Sequence, residues 1–155
     1  MDDSHIKLRY FTANLIGLAM IASVFMYAGV VVLLPRFLAP FSGFAALSPA
    51  QVQTLKYLFV ALALGIFFLI KFLQRILGAR SVEQLFQAAI VTFALSESVG
   101  VLGLVLFLLA GNHVDFYLFM FLSLFYFWFF YPKYNDWEAQ LSGQPGPGAD
   151  QASDL

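Results

Sequence analysis

The chain has 155 residues, of which 61% are hydrophobic and 11% are charged, and its formal net charge is −1. A soluble domain of this length cannot bury so much apolar surface, because about a quarter of the residues of a soluble protein are charged. The small net charge gives no basis for nucleic acid as a partner, and the absence of cysteine excludes disulfides, thiolate metal sites and iron–sulfur clusters.

The long uncharged runs predict an all-α, polytopic membrane protein with four transmembrane helices, since about 20 helical residues cross a hydrocarbon layer. The predicted segments are an amino-terminal segment 1–10, helix 1 over 11–35, an outer loop 36–50, helix 2 over 51–77, a cytoplasmic loop 78–82, helix 3 over 83–111, an outer turn 112–115, helix 4 over 116–132 and a tail 133–155. The first run exceeds a signal-peptide core, so it is expected to stay in the mature protein. The tail is expected to be disordered from its Gly, Pro, Gln and Ser content.

Local signals mark the start of helix 2 and the connection between helices 3 and 4. Ser48, Pro49 and Gln51 supply an N-cap, a proline at the first helical position and a capping-box glutamine. The short connection to helix 4 predicts a tight hairpin, with Asp115 capping helix 4. A surface metal or partner site at His113 and Asp115 is the less favoured interpretation.

The distribution of basic residues predicts the orientation in the membrane. The side that holds both termini would carry Lys7, Arg9, Lys71, Arg75, Arg80 and Lys133, and the other side Arg36 and Lys56. Because loops rich in Lys and Arg stay in the cytoplasm, both termini are predicted to be cytoplasmic. The membrane would be the plasma membrane, or the inner membrane if the source is bacterial.

Small residues predict where helices approach one another, because apolar contact alone does not drive helices together in lipid. Ala61 and Gly65 on helix 2, and Gly100 and Gly103 on helix 3, are the predicted packing positions. Helix 4 is aromatic on all sides and is therefore expected to face lipid. A groove for a quinone or a pigment is the alternative for that helix.

Glu97 is the one charged residue inside helix 3, with about 20 Å of helix on each side. A carboxylate at that depth must be protonated, paired or next to water, and no Lys or Arg is predicted at comparable depth. The candidate polar partners of Glu97 are all neutral: Thr12, Asn14 and Ser23 on helix 1, and Thr92, Ser96 and Ser98 on helix 3. Of these, Asn14, Ser96 and Ser98 are the predicted neighbours of the carboxylate. Such a carboxyl can bind a proton, or it can donate one structural hydrogen bond.

The residues around Glu97 resemble the ion-binding helix of subunit c, the proteolipid of rotary ATP synthases. The run Ala94, Leu95, Ser96, Glu97, Ser98 is followed by Gly103, Leu104 and Val105, upstream lie Gly78, Ala79 and Arg80, and helix 2 carries Ala61, Ala63 and Gly65. The resemblance covers about residues 57–110 and implies a divergent relative. It implies a hairpin of helices 2 and 3, a cytoplasmic loop at Arg80 and proton binding at Glu97.

The first functional hypothesis is therefore a proteolipid-like subunit of a larger membrane complex, in which Glu97 binds or relays a proton. The alternative is a structural accessory subunit of a respiratory or photosynthetic assembly, in which Glu97 makes only an interhelical hydrogen bond. Phosphate-loop, zinc-protease and nucleophile-elbow motifs are absent, so no enzymatic activity, cofactor or metal is expected. The expected partners are the lipid bilayer and other integral membrane subunits, and a homo-oligomer is also compatible with the sequence.

Overall fold

The computed structural model describes residues 3–45, 47–76 and 81–133, and all regular structure in these ranges is helical. The helices are α1 (Asp3–Phe37), α2 (Pro49–Ile76), α3 (Val82–Ala110) and α4 (His113–Phe129). The first three are long and apolar enough to cross a membrane, whereas α4 has 17 residues. The predicted loop residue Arg80 and the tail from residue 134 onward lie outside the described residues.

Helix α1 extends beyond the predicted 11–35 at both ends. It begins at Asp3 because nothing breaks the helix before the apolar run, and its first turns carry Arg9, which pairs with Glu83 at 3.2 Å. It continues past Pro35, where the backbone N–H of Leu38 donates to the Leu34 carbonyl at 3.0 Å and closes the last turn. A proline removes one donor but is tolerated this close to a helix end.

Helix α4 lies three residues earlier than the predicted 116–132. The Asn112 side-chain oxygen accepts from the Val114 N–H at 3.0 Å, so Asn112 is the N-cap, and the expectation that Asp115 caps α4 was wrong. The helix ends at Phe129, since Pro132 disfavours helical geometry at Tyr131. At about 1.5 Å per residue, 17 residues measure about 25 Å.

The capping box at the start of α2 is confirmed. The Gln51 side chain accepts from the Ser48 N–H at 2.8 Å, and the Ser48 hydroxyl accepts from the Gln51 N–H at 3.4 Å. Ser81 caps α3 in the same way, accepting from the Gln84 N–H at 3.3 Å. These caps replace water as partners for backbone groups that a helix start leaves unpaired.

Helix α3 lies at the centre of the bundle and packs against α1, α2 and α4. The predicted tight hairpin of α3 and α4 is confirmed, since Gly111 and Asn112 alone connect them. Gly111 adopts φ 70°, a conformation that favours glycine, and its N–H donates to the Phe107 carbonyl at 2.7 Å. The loop after α1 covers the same helix end, where the Phe44 N–H donates to the Leu108 carbonyl at 2.7 Å. The last carbonyls of α3 are thereby paired within the protein.

The predicted packing positions fall into two groups. A Cβ built at Gly103 would lie 2.5 Å from Phe119 Cβ, and one at Gly100 would lie 3.3 Å from Ser123 Oγ, so both positions serve the contact of α3 with α4. Ala61 and Gly65 instead face outward on α2, and a Cβ at Gly65 would meet nothing within 4 Å. These two positions are therefore open within the described part of this chain, and their packing against a helix of another subunit stays a prediction.

One face of α4 forms part of the core, which corrects the expectation that this helix faces lipid. Its buried residues are Asp115, Phe116, Phe119, Met120, Ser123, Tyr126 and Phe127. The Ser123 hydroxyl donates to the Ser96 carbonyl at 2.7 Å, and the Tyr126 hydroxyl donates to the Ala63 carbonyl of α2 at 3.0 Å. The opposite face, with Phe121 and Trp128, is exposed.

Candidate carboxylate site

Glu97 lies in the middle of α3, on the face that meets α1. It is partly buried, so its carboxyl group lies in the groove between the two helices and not in the sealed core. About 20 Å of helix separates it from either end of α3. A side chain at this depth cannot extend to an aqueous interface.

Two hydroxyl groups of α1 bond to Glu97. The Tyr27 hydroxyl donates to Glu97 Oε1 at 2.7 Å, and the Ser23 hydroxyl is also hydrogen-bonded to Oε1. Ser23 and Tyr27 are four residues apart, which places them one above the other on a single helix face. That face meets α3. The two helices run parallel, since an ion pair of Arg9 with Glu83 joins their first turns.

The hydrogen-bond inventory of this group allows two proton arrangements. The Ser23 hydroxyl has one proton but two acceptors, since the Met20 carbonyl lies 2.7 Å away. If Glu97 is ionised, Ser23 and Tyr27 both donate to it. If Glu97 is protonated, its O–H can donate to Ser23 Oγ, and Ser23 then donates to the Met20 carbonyl. Rotation of one hydroxyl therefore accommodates either state of the carboxyl.

No cation pairs with Glu97 among the residues that the structure describes. The two ion pairs in this part of the chain join Arg9 to Glu83 and Lys56 to Asp115. The described partners of Glu97 are thus neutral hydroxyls, which stabilise an ionised carboxylate less than a cation at the same distance would.

The predicted neighbours Ser96, Ser98 and Asn14 are not the partners of Glu97. The Ser96 hydroxyl donates to the Thr92 carbonyl at 2.9 Å, and the Ser98 hydroxyl donates to the Leu95 carbonyl at 2.7 Å. Asn14 precedes Ser23 by nine residues, or about 14 Å of helix, and its Oδ1 is buried without a hydrogen-bond partner. Residues adjacent in sequence point to different sides of a helix, which explains the first two cases.

Sequence reasoning offered Ser23 as one of several polar residues and missed Tyr27. A spacing of four between two hydroxyl residues on helix 1 was the available signal, because that spacing makes a polar face on an otherwise apolar helix. Beyond this spacing Tyr27 carries no distinctive signal, since tyrosine also occurs at membrane interfaces without a specific partner.

A second carboxylate lies near the first turn of α4 and has different partners. The Asp115 side chain is 3% exposed and forms an ion pair with Lys56 of α2. Asn112 Nδ2 also donates to Asp115 Oδ2 at 2.9 Å. This group ties the start of α2 to the start of α4, a contact of Lys56 that the sequence analysis did not predict.

His113 and Asp115 have separate contacts. The His113 ring packs edge-on against Phe107, with ring centroids 5.0 Å apart. Within the described ranges no group of three or more His, Asp or Glu side chains is placed to hold a metal ion.

The chain matches no family model, no curated protein and no solved structure. The function is therefore argued below from the chemistry of the Glu97 group and from the arrangement of the helices around it.

Proposed function

We propose that this protein is a proteolipid-like subunit of a membrane complex, in which Glu97 binds or relays a proton. The observation that carries the proposal is the bonding of Glu97, in a groove between α1 and α3, to the hydroxyls of Ser23 and Tyr27, with no cation beside it among the described residues. A group that must take up and release a proton needs partners for both of its states. Hydroxyls meet this need because they donate to the ionised form and accept from the protonated form.

The proposal includes four membrane crossings, with both termini in the cytoplasm. Helix α4 measures about 25 Å, and the chain continues beyond it to Pro132, whose carbonyl accepts from the Tyr10 hydroxyl at 3.3 Å. This contact supports a common side for the start of α1 and the end of the α4 segment. The excess of Lys and Arg at that end supports the cytoplasm as the side.

The resemblance to subunit c concerns α2 and α3, whereas the hydroxyl donors to Glu97 come from α1. In our proposal the chain keeps the carboxylate of the proteolipid hairpin but acts without a ring of identical hairpins. The packing of α3 supports a role without such a ring, since helices of the same chain cover it: α1 lies on the Glu97 face and α4 on the Gly103 face. The partners would be other integral membrane subunits, and the chain itself would not be an enzyme.

Labelling with a hydrophobic carbodiimide tests the proton site, because this reagent modifies protonated carboxyl groups within lipid. We expect the wild-type chain in liposomes to be labelled at Glu97 and Glu97→Gln to lose the label. Glu83→Gln is the matched control: it removes the other carboxylate of α3, which is exposed and paired with Arg9. Labelling that persists in Glu97→Gln, or that is lost equally in Glu83→Gln, contradicts the proposal.

A structural accessory subunit is the second candidate, and one observation favours it. Both hydroxyls that bond to Glu97 belong to α1, so the group also ties α1 to α3. If this is its whole role, Glu97→Gln will leave proton-linked activity of the purified complex unchanged, since the amide keeps one acceptor and adds donors. Gly103→Leu should then break assembly, because Phe119 occupies the space. Loss of proton-linked activity in Glu97→Gln, with assembly intact, favours the first candidate.

A further inference from the structure

Two cations lie on α2 without an acidic partner among the described residues. Lys71 and Arg75 are four residues apart and exposed, so they share one face near the end of the helix. Lys71 Nζ lies 5.1 Å from the ring centroid of Phe67 and 5.7 Å from that of Phe129. These two rings hold the ammonium group against the bundle.

An apolar groove of about 610 Å³ adjoins these cations on the surface of α2. It is lined by Gly65, Phe68, Leu69, Lys71, Phe72 and Arg75. Gly65 opens the groove, since a Cβ there would meet no atom within 4 Å. Phe68 and Phe72 are 69% and 59% exposed. From Gly65 to Arg75 the helix rises about 15 Å, which is long enough for much of one acyl chain.

We propose that this groove binds one anionic phospholipid. Its phosphate group would contact Lys71 and Arg75, and one acyl chain would lie along Phe68 and Phe72 to the gap at Gly65. Charge complementarity selects this occupant, because two neighbouring cations at the end of an apolar groove match an anionic headgroup joined to a hydrocarbon chain. The inference does not depend on the role of Glu97.

Native mass spectrometry of the full chain in mild detergent tests the site, with phosphatidylglycerol as the anionic probe and phosphatidylcholine as the zwitterionic one. We expect the wild type to retain phosphatidylglycerol preferentially. Lys71→Gln with Arg75→Gln should lower that preference by roughly thirtyfold, the effect expected for two interfacial cations. Lys7→Gln with Lys133→Gln is the matched control, since it removes two other exposed cations and should keep the preference.

Gly65→Leu tests the groove without changing the charge. The open space at this position allows the variant to fold, and leucine should displace the acyl chain and reduce the retained phosphatidylglycerol severalfold. The site is overturned if Lys71→Gln with Arg75→Gln keeps the wild-type preference for phosphatidylglycerol. It is also overturned if the control pair loses that preference to the same extent. Unchanged lipid retention in Gly65→Leu also overturns it, and is the result expected if a partner helix covers this face instead.

Discussion

Glu97 and Asp115 are two carboxylates on neighbouring helices, and they have different bonding partners. Asp115 is 3% exposed, is paired with the Lys56 ammonium and accepts from the Asn112 amide. Glu97 is partly buried and bonds to the hydroxyls of Ser23 and Tyr27. The first has a fixed countercharge, and the second has partners that suit both of its protonation states.

The two carboxylates therefore differ in whether a cation lies beside them. A buried carboxylate beside an ammonium group has its countercharge within the protein, and removal of the cation would leave a buried charge unpaired. A carboxyl bonded to hydroxyls gains or loses its proton with only a hydroxyl rotation. Asp115 therefore connects α2 to α4, whereas Glu97 is the carboxylate of the proton site that we propose.

The largest predicted effect comes from removing the countercharge of Asp115. Lys56→Met should lower the free energy of unfolding by about 3–5 kcal/mol, because it leaves a buried carboxylate without its cation. Denaturant unfolding in detergent measures this loss. Adding Asp115→Asn to Lys56→Met removes the uncompensated charge and should restore most of the stability. Lys56→Met with wild-type stability would remove the distinction between the two carboxylates.

A smaller effect is predicted for the hairpin that positions Asp115. Gly103→Ala should cost about 1–3 kcal/mol of unfolding free energy, since its Cβ would lie 2.5 Å from Phe119 Cβ. Gly65→Ala is the matched control: its Cβ enters open space, so only the gain from replacing a helical glycine by alanine, about 0.5–1 kcal/mol, is expected. Equal costs at both glycines, measured by thermal unfolding, would contradict the close approach of α3 and α4.

The smallest predicted stability effect concerns the Glu97 group itself. Tyr27→Phe removes one donor to Oε1 and should cost about 1 kcal/mol of unfolding free energy. It should also change the rate of carbodiimide labelling of Glu97, because the carboxyl group loses one of its two described hydroxyl partners. Tyr57→Phe is the control, since the Tyr57 hydroxyl bonds to the exposed Gln53 instead. Unchanged labelling in Tyr27→Phe would show that this hydroxyl does not act on the carboxyl.

Much of the fold could be predicted from local patterns in the sequence. The all-helical architecture, the capping box at Ser48 and Gln51 and the short α3–α4 connection all follow from residues close together in the chain. That no cation pairs with Glu97 in the described part of the chain was predictable for the same reason, since a long uncharged run leaves few places for one. These features depend on hydrogen bonding and helix length, which neighbouring residues control.

The orientation of each helix about its own axis came from the folded bundle. In a span that is apolar on all sides, hydrophobicity does not distinguish one face from another. Because lipid and the protein interior are equally apolar, the sequence pattern does not indicate which side of the helix contacts a neighbouring helix. For this reason Gly103 and Gly65 looked alike in the sequence, but one contacts Phe119 and the other is open. The orientation of α1 about its axis likewise places Tyr27, and not Asn14, against Glu97.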